Sequence, residues 1–299
     1  MIITLENGTP LKGDLTPTII KRTDLVAIPS TVEVMFRADD QILPYITEGK
    51  IISVGETTAK YKIISCKTIN ENLAVRGDPS FIFVHVIGLL ASCYEIAFTK
   101  ERAVTEESTS LASAYRACGA KIKVVGKDIK INKFTCLIGQ VPSFSIQKAL
   151  QLAAATIVWD GKDTVNFYRL RDLFKQKPKK VFENDYTQDY QSSFLERHQA
   201  PRHYSNLADG TISIANNKKG GRISSFEVNI DKQELNNLGT YLLQKKVLTL
   251  GLSADLNAGD LIRIKTKDYV IITATHIFSN PDVGAGGQSS RLWLGELSV

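Results

Sequence analysis

Glu196, His198 and His203 form the one local cluster of metal-ligand types in this 299-residue chain. Imidazole and carboxylate donors so close in sequence suit a zinc site, but Pro201 lies between the histidines and keeps them off a shared helical face. The alternative is a polar segment whose imidazoles bond to backbone or to a neighbour. Asp185 and Asp189 would act as an acid and base pair in glycoside hydrolysis only within a cleft that fixed their separation, and spacing alone does not provide one. His85 and His276 fall inside apolar strand-like runs and read as ordinary sheet residues.

The remaining chemical signatures are absent or have simpler readings. No Walker A, GxGxxG, HExxH, GxSxG or CxxC pattern occurs. Gly161-Lys162-Asp163 lacks both the upstream glycine and the Ser or Thr directly after Lys that a phosphate loop needs, so it reads as a hairpin turn. Arg76-Gly77-Asp78 spells a receptor-binding tripeptide, yet with Pro79 behind it the segment is a good turn in its own right. Cys66, Cys93, Cys118 and Cys136 sit in apolar patterns without framework spacing and read as buried, reduced thiols. The expectation is a protein with no catalytic residues, no cofactor and no metal.

One charged stretch stands out. From Arg169 to Lys180, Arg169, Arg171, Lys175, Lys177, Lys179 and Lys180 face a single acid, Asp172. It reads first as a solvated face, then as the rim of an interface with an acidic partner, and last as a contact patch for nucleic acid, with only Phe174 to stack on a base.

Repeats determine what would position these groups. Gly49-Lys50-Ile-Ile52-Ser-Val54 followed by Tyr61-Lys-Ile63-Ile-Ser-Cys-Lys-Thr-Ile69 returns as Gly259-Asp260-Leu-Ile262-Arg-Ile264 and Tyr269-Val-Ile271-Ile-Thr-Ala-Thr-His-Ile277. Each copy is a glycine turn, a strand, a short hairpin and a second strand that opens with Tyr. Between them, Ser110–Asp128 aligns without gaps on Ser145–Asp163, with seven identities in nineteen positions. Apolar residues at i, i+3, i+4 and i+7 make each of these copies a helix, with Ser143 as N-cap of the second and Gly119 closing the first, and a β-hairpin is expected after each. Asp231 and Glu234 form a capping box for a further helix carrying Leu235, Leu238 and Leu242.

The fold class expected is therefore α+β, mainly β. Two similar antiparallel β-barrels, over 1–95 and 181–299, flank an insert over 96–180 made of two helix-plus-hairpin repeats; the first barrel is open to completion by a later strand. An apolar fraction of 43% and a net charge of +6 fit a folded, mildly basic protein. No basic leader precedes an apolar run and no stretch approaches eighteen apolar residues, so the expected product is soluble, made in the cytoplasm, with no membrane insertion.

The order of parts resembles the baseplate hub proteins of contractile-tailed bacteriophages, related to the late-control protein D group and to the N-terminal part of the type VI secretion spike. The likeness is carried by Phe167-Tyr-Arg-Leu-Arg-Asp-Leu-Phe174, by Ser193-Phe-Leu-Glu-Arg-His198, and by Leu256-Asn-Ala-Gly-Asp-Leu-Ile262, similar to the L-x-x-G-D lead-in to that family's second barrel. The resemblance implies a homotrimer whose six barrels form a pseudo-sixfold ring between a hexameric tail tube and a trimeric spike. Tube, spike, and baseplate wedge or tape-measure proteins would be its partners, with DNA passing through the lumen without sequence-specific binding. Its place would be the virion tail baseplate. The interface strands would then hold Lys50, Ile52, Val54, Tyr61, Ile63, Ile69, Asp260, Ile262, Ile264, Tyr269, Ile271 and Ile277. The alternatives are a basic β-barrel that binds nucleic acid through Arg169–Lys180, and a cell-wall or glycan hydrolase of a tail.

Overall fold

The computed structural model describes residues 2–11, 13–55, 59–70, 82–189, 201–206, 209–215, 224–228, 230–280 and 287–298. Its first strands are β1 (Ile3–Thr4), β2 (Pro10–Leu11), β3 (Thr18–Asp24), β4 (Ser30–Ala38), β5 (Ile51–Val54), β6 (Lys60–Asn70) and β7 (Ile82–Leu90). The central part holds β8 (Val104–Ser110), α1 (Leu111–Ala117), β9 (Lys123–Val124), β10 (Lys130–Cys136), α2 (Pro142–Leu152), β11 (Ala155–Trp159), β12 (Thr164–Arg169) and α3 (Leu170–Leu173). After it come β13 (Lys180–Phe182), β14 (Gln188–Asp189), β15 (Arg202–Asn206), β16 (Ile212–Ile214), β17 (Ser224–Phe226), α4 (Lys232–Leu238), β18 (Leu242–Gly251), β19 (Leu261–Ile264), β20 (Lys267–Ser279) and β21 (Gln288–Leu297).

Alternation makes the strands. In β4, Val32, Val34, Phe36 and Ala38 are buried while Thr31, Glu33, Met35 and Arg37 point to the other face. Each fully buried side chain of the Val or Phe type contributes about 1.5–3 kcal/mol, so a register slip of one residue would forfeit the whole row. The result is mainly β: thirteen strands join in one sheet, ordered β14-β18-β21-β20-β3-β4-β7-β6-β5-β1-β2, with β13 and β19 attached beside β20.

The two copies of the strand-pair sequence are the same object. Gly49 N–H donates to Ile63 O and Ile63 N–H to Lys50 O; Gly259 N–H donates to Ile271 O and Ile271 N–H to Asp260 O. One step on, the β6–β7 ladder shifts register between Ile63 and Ser65, and the β20–β21 ladder between Ile271 and Thr273. Both glycines hold positive φ, +85° and +95°, to turn into the strand. A module is thus four strands deep, β3-β4-β7-β6 in the first copy and β14-β18-β21-β20 in the second, and β20 pairs with β3 to weld the two within one chain.

The copies differ in what lies over the glycine. A Cβ on Gly259 would stand 2.7 Å from both methyls of Val158, whereas one on Gly49 would meet nothing within 4 Å. Gly49→Ala is expected to cost about 1–2 kcal/mol from its left-handed backbone alone. Gly259→Ala adds an overpacking cost of about 1–3 kcal/mol. Urea midpoints of the two variants check the difference, and equal losses would contradict it.

The insert departs from its sequence repeat. The second copy forms the expected hairpin, β11 against β12. The first does not: β10 pairs with β8 over six positions and β9 lies as a parallel edge on β12, so the turn at Gly126 leads out of one sheet and into another. Non-local pairing with β8 outcompetes the local hairpin. Ser143 is not the cap of α2, which starts at Pro142 after Val141; Ser110 caps α1, accepting from Ser113 N–H, and Gly119 closes it at φ +93°. Asp231 and Glu234 do form the reciprocal capping box, but α4 ends at Leu238 and Leu242 opens β18.

The insert grips the β3–β4 turn. Tyr115 Oη donates to Ala27 O at 2.9 Å, Ala27 N–H donates to Gln147 Oε1 at 2.9 Å, and Thr156 Oγ1 donates to Leu25 O at 3.2 Å. One core runs from the first module through α1, α2 and β11, and a second fills the other module. A third, made of Leu25, Leu173, Ala258, Leu261 and Val270, plugs the weld between modules.

Candidate assembly surface

The side chains expected at subunit interfaces mostly lie inside this chain. Ile52, Tyr61, Ile63, Ile262 and Ile271 are fully buried, and Val54, Ile264 and Tyr269 nearly so. Burial pushes the Tyr61 phenol above its ordinary pKa, against the hydrogen bond with Ser30 that lowers it. Lys50 pairs with Glu6 at 3.4 Å and Asp260 with Lys179 at 2.9 Å. Ile277 sits between Ile20 and Ser289 in intrachain ladders. Ile69 alone of these apolar residues is exposed. What the strands still offer is backbone. Beyond its short pairing with β5, β6 has no second neighbour from Ile64 to Asn70 among the described residues, and neither does the outer edge of β14.

The basic segment is largely satisfied by its own chain. Arg169 donates to Ala153 O, Lys175 pairs with Asp172 at 2.6 Å, and Lys179 reaches both Asp260 and Asp255 O. Lys180 lies over the Phe182 ring at 5.5 Å and donates to Ser253 Oγ, which leaves Arg171 and Lys177 pointing outward. The stretch acts as a brace between insert and second module. A different basic site comes from residues far apart in sequence: Lys60, Lys121, Lys123 and Lys162 rim a groove of about 360 Å³ over Leu90 and Ala91, with Lys123 held by Asp163 at 2.6 Å. Its residues come from four segments, so no linear charge run announces it.

The candidate chemistries find other roles. Glu196 and His198 lie outside the described residues, as does Arg76-Gly77-Asp78. His203 Nδ1 meets Glu227 Oε1 at 3.0 Å, and the same carboxylate accepts from Lys148 at 2.6 Å and from Ser225 Oγ at 3.1 Å. Burial opposes the ionised form of Glu227, but these donors outweigh it and hold the carboxyl below its usual range. The knot ties the β15–β17 sheet to α2. Asp185 and Asp189 converge on Lys246, at 2.8 and 3.2 Å. Hydrogen bonds from Lys246 and Thr187 hold Asp185 at a pKa of about 2, too acidic to serve as a proton donor near neutrality. Burial pushes the Cys93 and Cys118 thiols up to about 12, so neither is a ready nucleophile. Among the described residues no group of three His, Cys, Asp or Glu is placed to hold a metal, and no helix is long and apolar enough to cross a membrane.

Two four-strand modules welded edge to edge around a helical insert have counterparts among solved structures. A tail protein from Neisseria meningitidis superposes with a TM-score of 0.67 at 8% identity, covering 99% of this chain and 95% of its own. The 43 kDa tail protein of prophage MuSo2 from Shewanella oneidensis gives 0.65 at 11% identity, over 98% and 97%. The chain has the fold of bacteriophage tail proteins. A third structure with this tail-protein fold, an E. coli component of the type VI secretion system described as similar to the T4 tail proteins gp27 and gp5, gives 0.56 at 8% identity over 98% of this chain and 76% of its own. By sequence, no family model and no curated relative matches the chain, so the tail-protein likeness is one of structure.

Proposed function

We propose that this protein is a structural tail component, a baseplate hub whose three copies form a pseudo-sixfold ring between a hexameric tail tube and a trimeric spike. The observation that carries the reading is the weld between β20 and β3, an edge-to-edge ladder of like modules whose outer edges, on β6 and β14, have no further neighbour among the described residues. A module that joins its twin through a sheet edge has the means to join the next chain in the same way, and a closed ring removes the exposed edges that would otherwise recruit other strands. The tail-protein fold and the type VI secretion neighbour support a spike as partner. A tail tube, and wedge or tape-measure proteins, belong to the same proposal, as do a place in the virion tail and the division at 95 and 180.

The sheet face opposite the core suits a lumen that passes DNA without reading it. Arg22 stands between Thr31 and Thr275 and pairs with Asp24 at 2.6 Å, and Arg291 lies beside Thr275 with its guanidinium 5.1 Å from the Trp293 ring. Such a surface of mixed hydroxyls and scattered cations binds phosphate weakly and without register. Of the groups behind the other readings, Lys179 and Lys180 are engaged with the second module, and Asp185 is held on Lys246. Light scattering tests the ring: the expected mass is three times the 33.0 kDa chain, alone or with the spike. A monomer under both conditions rules it out.

A further inference from the structure

The ring makes no use of the lysine groove, which lies where the first module meets the insert. Lys60 opens β6, Lys121 and Lys123 follow α1, and Lys162 with Asp163 belongs to the β11–β12 turn. Each free lysine is rooted in fixed backbone. Lys60 stands in the β5 ladder opposite Ser53, and Lys121 N–H donates to Ser92 O at 2.8 Å. Lys162 N–H donates to Asp160 Oδ1 at 2.8 Å, and its carbonyl accepts from Trp159 Nε1–H at 3.2 Å. Four ammonium groups are thereby gathered around an apolar floor, Leu90 and Ala91, and the one acid of the rim, Asp163, is committed to Lys123. Lys60, Lys121 and Lys162 are exposed and enter no ion pair among the described residues.

An adjoining depression of about 450 Å³ shares Ala91, Ser92 and Lys121 with the groove, so the two form one trough. Charge is balanced at that end: Lys62 lies between the Tyr94 ring at 3.9 Å and Glu95 at 4.0 Å, and Glu6 holds Lys50 at 3.4 Å. The uncompensated cations are confined to the groove.

We infer that this trough receives an extended acidic segment of a partner protein, with carboxylates on Lys60, Lys121 and Lys162 and alternate apolar side chains on Leu90 and Ala91. A strand presents that alternation, acid to the rim and hydrocarbon to the floor. A free phosphate would fill a small part of a trough of this size and leave its floor wet. Nucleic acid would want an open aromatic face to stack on. Here Tyr94 is covered by Lys62 and by Phe98 at a centroid distance of 4.8 Å, and Trp159 is buried.

Charge reversal tests the site. The probe is a short fluorescein-labelled peptide alternating Glu and Leu, its binding to the full chain read by anisotropy at low salt. Lys121→Glu with Lys162→Glu is expected to weaken binding by at least about tenfold and to leave the thermal midpoint unchanged, since both side chains are exposed. Arg171→Glu with Lys177→Glu makes the same change of charge on another exposed surface and should weaken it less than about twofold. Equal losses from the two pairs, or no binding to the unaltered chain, overturn the site. A peptide alternating Glu and Ser should bind several-fold more weakly, because it leaves the apolar floor uncovered; equal binding overturns the alternating segment. Displacement of the peptide by inorganic triphosphate or by an oligonucleotide at matched charge concentration overturns a protein partner in favour of a phosphate ligand. None of these readouts depends on oligomer mass, so the ring stands or falls separately.

Discussion

Tyr61→Ala is expected to lower the unfolding free energy by about 3–5 kcal/mol, the range for emptying a fully buried aromatic site. Tyr61 opens the second strand of the first module and is fully buried. Its ring meets Trp159 edge-on at a centroid distance of 6.4 Å, which fastens the module to the insert. Gly88 lies so close across the ladder that a Cβ there would stand 3.1 Å from the Cβ of Tyr61, leaving little room for neighbours to collapse inward. The phenol has a fixed partner: Ser30 Oγ donates to Arg22 O at 3.0 Å and therefore accepts from Tyr61 Oη at 2.9 Å. Tyr61→Phe should consequently cost only about 1–3 kcal/mol, the price of an unmade buried hydrogen bond. Tyr269, its twin, lies nearer the rim, with the Lys267 ammonium 5.6 Å from its ring, and Tyr269→Ala should cost less than Tyr61→Ala. Denaturant midpoints at constant slope rank the three variants; a loss for Tyr61→Ala no larger than for Tyr269→Ala would refute the account.

What could be read in advance was whatever depends on local pattern. Strand alternation, the Gly–Tyr duplication, the hairpin at Gly161 and the capping box at Asp231 each need only a few neighbouring residues, and each is found. The first insert hairpin failed because β8, upstream of α1, competes for β10 by tertiary pairing that periodicity does not contain. The basic run at Arg169–Lys180 looked like a surface because its counter-charges, above all Asp260, lie some eighty positions away. For the same reason the lysine groove was invisible: its members meet only after the modules fold. Ile69 reads in sequence only as one more apolar strand residue; its exposure goes with an edge of β6 that has no neighbour among the described residues where β20 has β3.

The weld between modules should also respond to acid. His276 is fully buried there, with Nε2 at 2.9 Å from Leu256 O and Nδ1 at 2.8 Å from Ser290 Oγ. A carbonyl only accepts, so Nε2 carries the proton in the neutral ring and Nδ1 accepts from the serine hydroxyl. Burial lowers the His276 pKa below its usual value; the bond to Leu256 opposes this, and Lys21, its cross-strand neighbour, adds to it. Lys21 is itself lowered by burial, its ammonium 4.8 Å from the centre of the Trp159 ring. Both groups bind protons more readily unfolded than folded. Stability therefore rises with pH until each passes its unfolded value, and the share due to His276 is present above about 6.5 and lost as pH falls toward its depressed folded value. The midpoint of thermal unfolding is expected to fall between about pH 7 and about pH 5. The stability due to Asp185 is present above its unfolded value near 3.8 and is lost only as pH falls from there toward about 2, below the His276 interval. His276→Gln keeps a donor for Leu256 O without a titrating proton, and should flatten the slope in that interval while leaving the acid limb below it. An unchanged slope would remove His276 as its source.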